Sequence, residues 1–228
     1  MSKSRENLPQ RLLEYTVDQD YSLYTEIDQA VWRYILKISV PFFKKHAHNS
    51  YVNGLKMMNI PNNHIPLVDD MDKRLDNHDW GAVTVKGFIP PIVFMEFLSR
   101  KVLPIAVDMR TNDHITYTPA PDIIHEAAGH APIIADPDYA EYLCSYGEIA
   151  KKAIQSKHDS GLYKAIRKMS DMKEDPNTGP TELKEIEDEF EKISQEKHWV
   201  SEANELARMN WWTIEYGLVG SLDNPKIY

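Results

Sequence analysis

The chain has 228 residues, 42% hydrophobic and 27% charged, with a formal net charge of −9. That length suffices for one domain with a substantial core, and acidity without a basic block argues against nucleic acid or an anionic membrane as partner. No run of 18 apolar residues is present to span a bilayer, the N-terminus lacks an apolar signal core, and the single cysteine, Cys144, excludes an intrachain disulfide and fits a reducing cytoplasm.

Taken in order, residues 1–20 read as a polar arm. From Tyr21 to Lys45, Tyr24, Ile27, Val31, Tyr34, Ile35 and Ile38 follow helical spacing, and Pro41 is expected to kink or end that helix. Lys44-Lys-His-Ala-His48 reads as a solvated helix end rather than a metal cluster, because no apolar wall surrounds it. Ser50–Met58 and Leu67–Asn77 read as short helices, with Pro61 and Pro66 in the loop between them. Trp80–Ile89 is a short extended segment carrying Gly81 and Gly87. Pro90–Lys101 is a helix with proline at its start, and Leu103–Val107 a strand. The fold class is therefore mostly α, with short β strands near 83–89 and 103–118.

Arg110 follows, in Asp108-Met-Arg-Thr-Asn-Asp-His114. Its planar fork suits a carboxylate bidentately, in a ligand or in a surface ion pair.

Tyr117–Pro132 then sets His125 and His130 beside Glu126 in an apolar run. Neutral imidazole is the commonest side-chain ligand of a transition metal. The zinc-protease spacing i, i+4 is not met. Five residues turn an ideal helix by about 500°, leaving the rings about 140° apart, so both reach one ion only if the helix ends or bulges near Gly129. Pro119 and Pro121 stiffen the approach to this segment. Asp122, three residues before His125, is placed to fix a ligating imidazole's tautomer from behind.

Asp136-Pro137 marks the start of a further helix, running to about Lys157. Residues 150–200 are rich in Lys, Glu and Asp. There Leu183, Ile186, Phe190 and Ile193 form a helical stripe after Asp175-Pro-Asn-Thr-Gly-Pro180. Ala203, Leu206, Ala207, Trp211, Ile214 and Leu218 give an amphipathic helix with that face inward. Glu215 lies at the edge of the stripe, where a carboxylate needs a cation, a metal or several donors. Two histidines and a carboxylate with open positions form the facial triad of non-haem Fe(II) oxygenases.

His-Glu-x-x-Gly-His, preceded by Tyr-Thr-Pro-x-Pro-Asp-Ile and followed by Pro-Ile-Ile-Ala-Asp-Pro, resembles the pterin-dependent aromatic amino acid hydroxylases. Trp211-Trp-Thr-Ile-Glu-Tyr-Gly-Leu218 is similar to the same family's glutamate-bearing segment. The resemblance is strong from Val85 to Asp138 and from Leu206 to Tyr228, weak before Val85, and absent across most of 150–200.

It implies one catalytic domain over 1–228. It also implies a monooxygenase that uses Fe(II), a tetrahydropterin (tetrahydrobiopterin or a bacterial analogue) and O2 to hydroxylate an aromatic amino acid, phenylalanine first. His125, His130 and Glu215 are then the metal ligands. Arg110 and Thr118 hold the substrate carboxylate, and Trp211, Tyr216 and Pro121, with the His125 ring, form a cage around the aromatic ring. Gly87, Ile89, Pro91, Phe94, Glu126 and Ala207 match the pterin site, with Glu126 pointing at the pterin rather than the metal. Many members follow the glycine with serines and an arginine, where this chain has Pro90-Pro91-Ile92.

The stretch from His130 to Glu215 is about twice as long as in the animal enzymes. This reads as an inserted surface helical hairpin at 150–200. The family's Gly-Ala-Gly-Leu-Leu-Ser-Ser after Lys-x-Tyr is not in the chain, which reads as shortened. The competing readings are a zinc hydrolase with Glu126 as general base, and a metal-stabilised helical protein without catalysis.

Overall fold

The computed structural model describes residues 3–118, 120–175 and 177–227. Pro119 lies outside the described residues. The architecture is mostly helical, and no helix of the described residues is long and apolar enough to cross a membrane.

The segment 1–20 is not a free arm. Leu8, between the short helices α1 (Lys3–Glu6) and α2 (Gln10–Leu13), and Leu12 of α2 enter a small core cluster with Val83, Phe97 and Val102. Ser4 and Asp72 are hydrogen-bonded, and Val17 N–H donates to Thr84 O, so the chain start is tied to the first strand. Two leucines four residues apart gave too weak a periodic signal among polar neighbours.

Helix α3 (Glu26–His46) begins at a Thr25/Asp28 capping box and runs straight through Pro41. Pro41 is exposed, so the carbonyl it leaves without a helical donor faces water. The buried stripe is Val31, Trp32, Ile35 and Leu36, while Ile27, Tyr34 and Ile38 of the expected stripe are exposed. Helices α4 (Asn49–Met57) and α5 (Val68–Leu75) fall where expected.

Strand β1 (Gly81–Val85) pairs in parallel with β2 (Val102–Ala106), joined by helix α6 (Pro91–Ser99). The register sets Gly81 against Val102 and Val85 against Ala106. Both strands are buried throughout, which explains their continuous apolar reading. The strand expected to reach 118 stops at Ala106, and the chain passes through a 3-10 turn at Asn112–His114.

Helix α7 (Pro137–Ala150) is capped by the Asp136 carboxylate, which accepts from Asp138 and Tyr139 N–H, and ends well before Lys157. Helices α8 (Lys157–Glu174) and α9 (Pro180–Gln195) form the expected charged hairpin, with Ile186 buried between them. After α10 (Glu202–Asn210), an antiparallel hairpin of β3 (Leu218–Ser221) and β4 (Asn224–Ile227) was not expected. It is pinned by His48 N–H donating to Ile227 O.

The helix expected over 203–218 runs from Glu202 to Glu215, but its apolar stripe does not face inward as a whole. Ala203, Leu206 and Ile214 are half-buried, but Ala207, Trp211 and Leu218 are exposed. The helix changes geometry at Trp211, so a single 3.6-residue stripe does not continue through it.

Candidate metal centre

The two histidines sit on a π-helical turn, Ile124–His130, closed by Ala131 N–H to Glu126 O. Such a turn bonds residue i to i+5, so side chains five apart share a face. The His125 and His130 ring centroids are 4.6 Å apart at 73°. The distortion expected near Gly129 is therefore a widening of the whole turn, not a break. From α4, Tyr51 Oη donates at 2.6 Å to Ala128 O, a carbonyl whose α-helical partner position is Pro132, without an N–H.

Glu215 comes from a second π turn, Trp211–Glu215, closed by Tyr216 N–H to Trp211 O at 3.0 Å. Its Oε1 lies 3.4 Å from His130 Nε2 and its Oε2 3.8 Å from His125 Nε2. One donor atom from each of the three residues lies within 4.8 Å of the others. Donors on metal bonds of about 2.0–2.2 Å sit up to about 4.4 Å apart, so a small closure suits one ion.

Glu126 Oε2 bonds His130 Nδ1 at 3.0 Å, with Glu126 buried and His130 half-buried. A carboxylate on Nδ1 holds the proton there and leaves Nε2 free to ligate. One expectation is corrected: Asp122 does not touch an imidazole. The Asp122 carboxylate accepts the His125 backbone N–H and grips Arg110 instead. An acid engaged by His130 is also poorly placed as the general base of a zinc hydrolase.

The electrostatics match a cation site. Burial pushes the His125 imidazole down, helped by His130. Burial also pushes His130 down, but Glu126 and Glu215 outweigh it and hold its pKa up to about 10. Burial raises the Glu215 carboxyl, yet His130 and His125 draw it below the usual glutamate range. Here a proton on His130 sits where an ion between Nε2 and Glu215 would carry the positive charge.

A cavity of about 300 Å³ opens onto the centre, lined by Ile35, Phe43, Arg110, His125, His130 and Glu215 among others. The stretch from Ser2 to Asp159 matches the model of the biopterin-dependent aromatic amino acid hydroxylases. The chain belongs to this family.

Among relatives, the phenylalanine-4-hydroxylase of Pseudomonas aeruginosa is 26% identical over 212 residues, covering 92% of this chain and 64% of that protein. The Caulobacter vibrioides enzyme of the same name is 28% identical over 218 residues, covering 94% and 58%. The fold is that of the Chromobacterium violaceum phenylalanine hydroxylase structure with bound iron(III) and 7,8-dihydrobiopterin, at TM-score 0.70 and 21% identity. That match covers 99% of this chain and 67% of that one. The chain thus spans less than two thirds of the curated relatives' length. Glu215, and the α8–α9 hairpin after Asp159, lie beyond the stretch the family model matches.

The remaining expected residues fall in separate places. Arg110 is held bidentately by Asp122, Nε to Oδ2 at 2.7 Å and Nη2 to Oδ1 at 2.9 Å, both side chains nearly buried. Thr118, whose hydroxyl donates to Ala120 O, lines a cavity of about 550 Å³ with Gly87, Arg110 and Pro121. Trp211 and Tyr216 stack at 5.3 Å, again an i, i+5 pair, but both are exposed and line a groove with Ala207. Pro121 and His125 line two other cavities. Ile89 packs against the smaller core cluster and Phe94 against the larger, while Pro91 is exposed at the start of α6. Of the six pterin positions, Gly87 and Ala207 line separate cavities, Ile89 and Phe94 pack against separate clusters, Pro91 is exposed, and Glu126 bonds His130.

Proposed function

We propose that the protein is a monooxygenase that hydroxylates the ring of an aromatic amino acid, phenylalanine in the first instance, with Fe(II), a tetrahydropterin and O2. The observation that carries this reading is the convergence of His125 Nε2, His130 Nε2 and a Glu215 oxygen from two separate π turns. Two imidazoles and one carboxylate on one side, with the other positions open, suit non-haem iron rather than a closed structural site. When bound, the iron and pterin supply the oxygen activation and the electrons.

The chain's own work is placement. Glu126 keeps the His130 proton on Nδ1. The Asp122–Arg110 pair fixes the backbone at His125 and brings the guanidinium to the edge of the metal cavity. Apolar side chains from α3 and Ile214 exclude water from the rest of that cavity. Of the family's pterin positions Gly87 lines the cavity beside Arg110, and Pro90-Pro91 offers no hydroxyls where serines would. The single cysteine and acidic charge suit a cytoplasmic enzyme of small molecules.

The test is incubation of purified protein with Fe(II), tetrahydropterin and each aromatic amino acid, with product identification. Ring-hydroxylated product that depends on all three supports the proposal. Stoichiometric zinc binding with peptide hydrolysis, or iron binding without any product, overturns it.

A further inference from the structure

Each of the two π turns is met by a tyrosine hydroxyl from a helix that carries no ligand. At the histidine turn, the carbonyl of Ala128 has no N–H to receive from Pro132, and the Tyr51 hydroxyl of α4 takes that place in a buried bond of 2.6 Å. Ala128 lies between His125 and His130, so the bond is made inside the turn that brings the two rings together.

At the glutamate turn the contact is relayed. Thr213 Oγ1 donates to Met209 O at 2.8 Å, its own i−4 carbonyl. Such a back-bond competes with the α-helical ladder and bends it. Tyr142 Oη of α7 lies 3.0 Å from the same threonine oxygen. A hydroxyl has one proton, and that of Thr213 is given to Met209 O, so Tyr142 is the donor and Thr213 the acceptor. The relay therefore runs from α7 through Thr213 into the backbone just before the turn that aims Glu215. A second tyrosine of α7, Tyr146, donates to Leu206 O at 2.7 Å, on α10 and outside both π turns.

We infer that Tyr51 and Tyr142 are positioning residues of the metal centre. Tyr51 holds the width of the turn that carries His125 and His130. Tyr142, through Thr213, holds the turn that carries Glu215. Neither touches the ion; each opposes return of its turn to an α-helical register, which would rotate a ligand away. The inference rests on the proposed reading of the trio as a metal site.

Titration of the full chain with Co(II) tests it without turnover, because the visible absorption bands of Co(II) report its coordination geometry. Tyr51→Phe and Tyr142→Phe should each weaken Co(II) binding about two- to tenfold, the loss of one neutral hydrogen bond, and should shift those bands. Thr213→Val should do the same, and Tyr142→Phe with Thr213→Val should be no weaker than either alone, since both cut one relay. Thr213→Ser, which keeps the hydroxyl, should restore affinity and bands. Tyr146→Phe should lower unfolding stability and leave the bands unchanged. Tyr142 is partly exposed, so the Tyr142 and Thr213 variants decide the matter even where Tyr51→Phe fails to fold. Wild-type affinity and bands in Tyr142→Phe, or in a folded Tyr51→Phe, overturn the inference. So does an equal band shift in Tyr146→Phe, which would reduce Tyr142 to general docking of α10. Failure of the wild-type chain to bind Co(II) or Fe(II) overturns the metal reading, and the inference with it.

Discussion

His125 and His130 are five residues apart in the chain, yet their rings meet at 4.6 Å because the turn that carries them is π-helical. The same geometry recurs at Trp211 and Tyr216, which stack at 5.3 Å across the turn that ends at Glu215. Both wide turns converge on one point, and an α-helical register in either would rotate a ligand away.

The first prediction concerns the histidine's support. Alanine at His125, His130 or Glu215 should abolish stoichiometric iron binding, while circular dichroism shows the fold retained. Glu126→Gln should still bind iron, but about 10–100-fold more weakly, because Glu126 orients His130 from Nδ1 without being a ligand. Unchanged affinity in Glu126→Gln, by calorimetry or chelator competition, would remove Glu126 from the centre.

A second prediction follows from the Arg110–Asp122 pair. Both side chains are nearly buried, and Asp122 also accepts the His125 N–H. Removing one partner strands the other, at a cost of about 3–5 kcal/mol. Arg110→Ala should therefore lower unfolding stability by about that much, and should also raise the Michaelis constant for the amino acid. Arg110→Ala that unfolds in denaturant like the wild type would contradict the buried-pair argument.

The pH dependence of metal-stripped protein has a definite sign. The His130 pKa is raised to about 10, so the stability from its pairing with Glu126 and Glu215 is fully present below the ordinary histidine range. It is lost as pH rises through about 10. His125 is lowered and works the other way, weakening the fold as pH falls through the ordinary histidine range. Stripped protein should thus lose stability from near neutrality to about pH 10. Metal binding should release a proton and tighten with rising pH over the same window. Melting curves of chelated protein that stay flat there would count against the His130 assignment.

Much of this was legible in the sequence because it rests on local signals. Asp136-Pro137, Pro91 and the Leu183–Ile193 stripe mark their helices by caps and spacing, and the ligand trio is readable from residue type. What was not legible depends on tertiary contact. Tyr51 reaches Ala128 across 77 positions, and that contact, not Gly129, accompanies the wide turn. Leu8 and Leu12 show no sign of burial until β1 and α6 are placed against them. Asp122 lies within reach of either an imidazole or a guanidinium by spacing alone, and only the fold chooses Arg110.

The last prediction separates two glycines of the same region. Gly54 of α4 lies directly against the segment that follows His130: an added Cβ would fall 1.8 Å from Pro132 O and 2.5 Å from its carbonyl carbon. Those are backbone atoms, so relief requires moving either α4 or the Ala131–Ala135 turn, and the latter carries His130 with it. Gly54→Ala should cost at least about 1–3 kcal/mol, the usual range for overpacking, and should weaken iron binding along with the fold. At Gly129, inside the π turn itself, an added Cβ meets nothing within 4 Å. Its φ is not in the left-handed region, so Gly129→Ala should fold and bind iron, with stability unchanged or raised by about 0.4–1 kcal/mol from the stiffer unfolded chain. Denaturant unfolding and iron titration of the two variants give opposite outcomes if close approach by α4 positions the centre. A Gly129→Ala protein that loses iron while Gly54→Ala keeps it would place the control of the turn in the glycine instead.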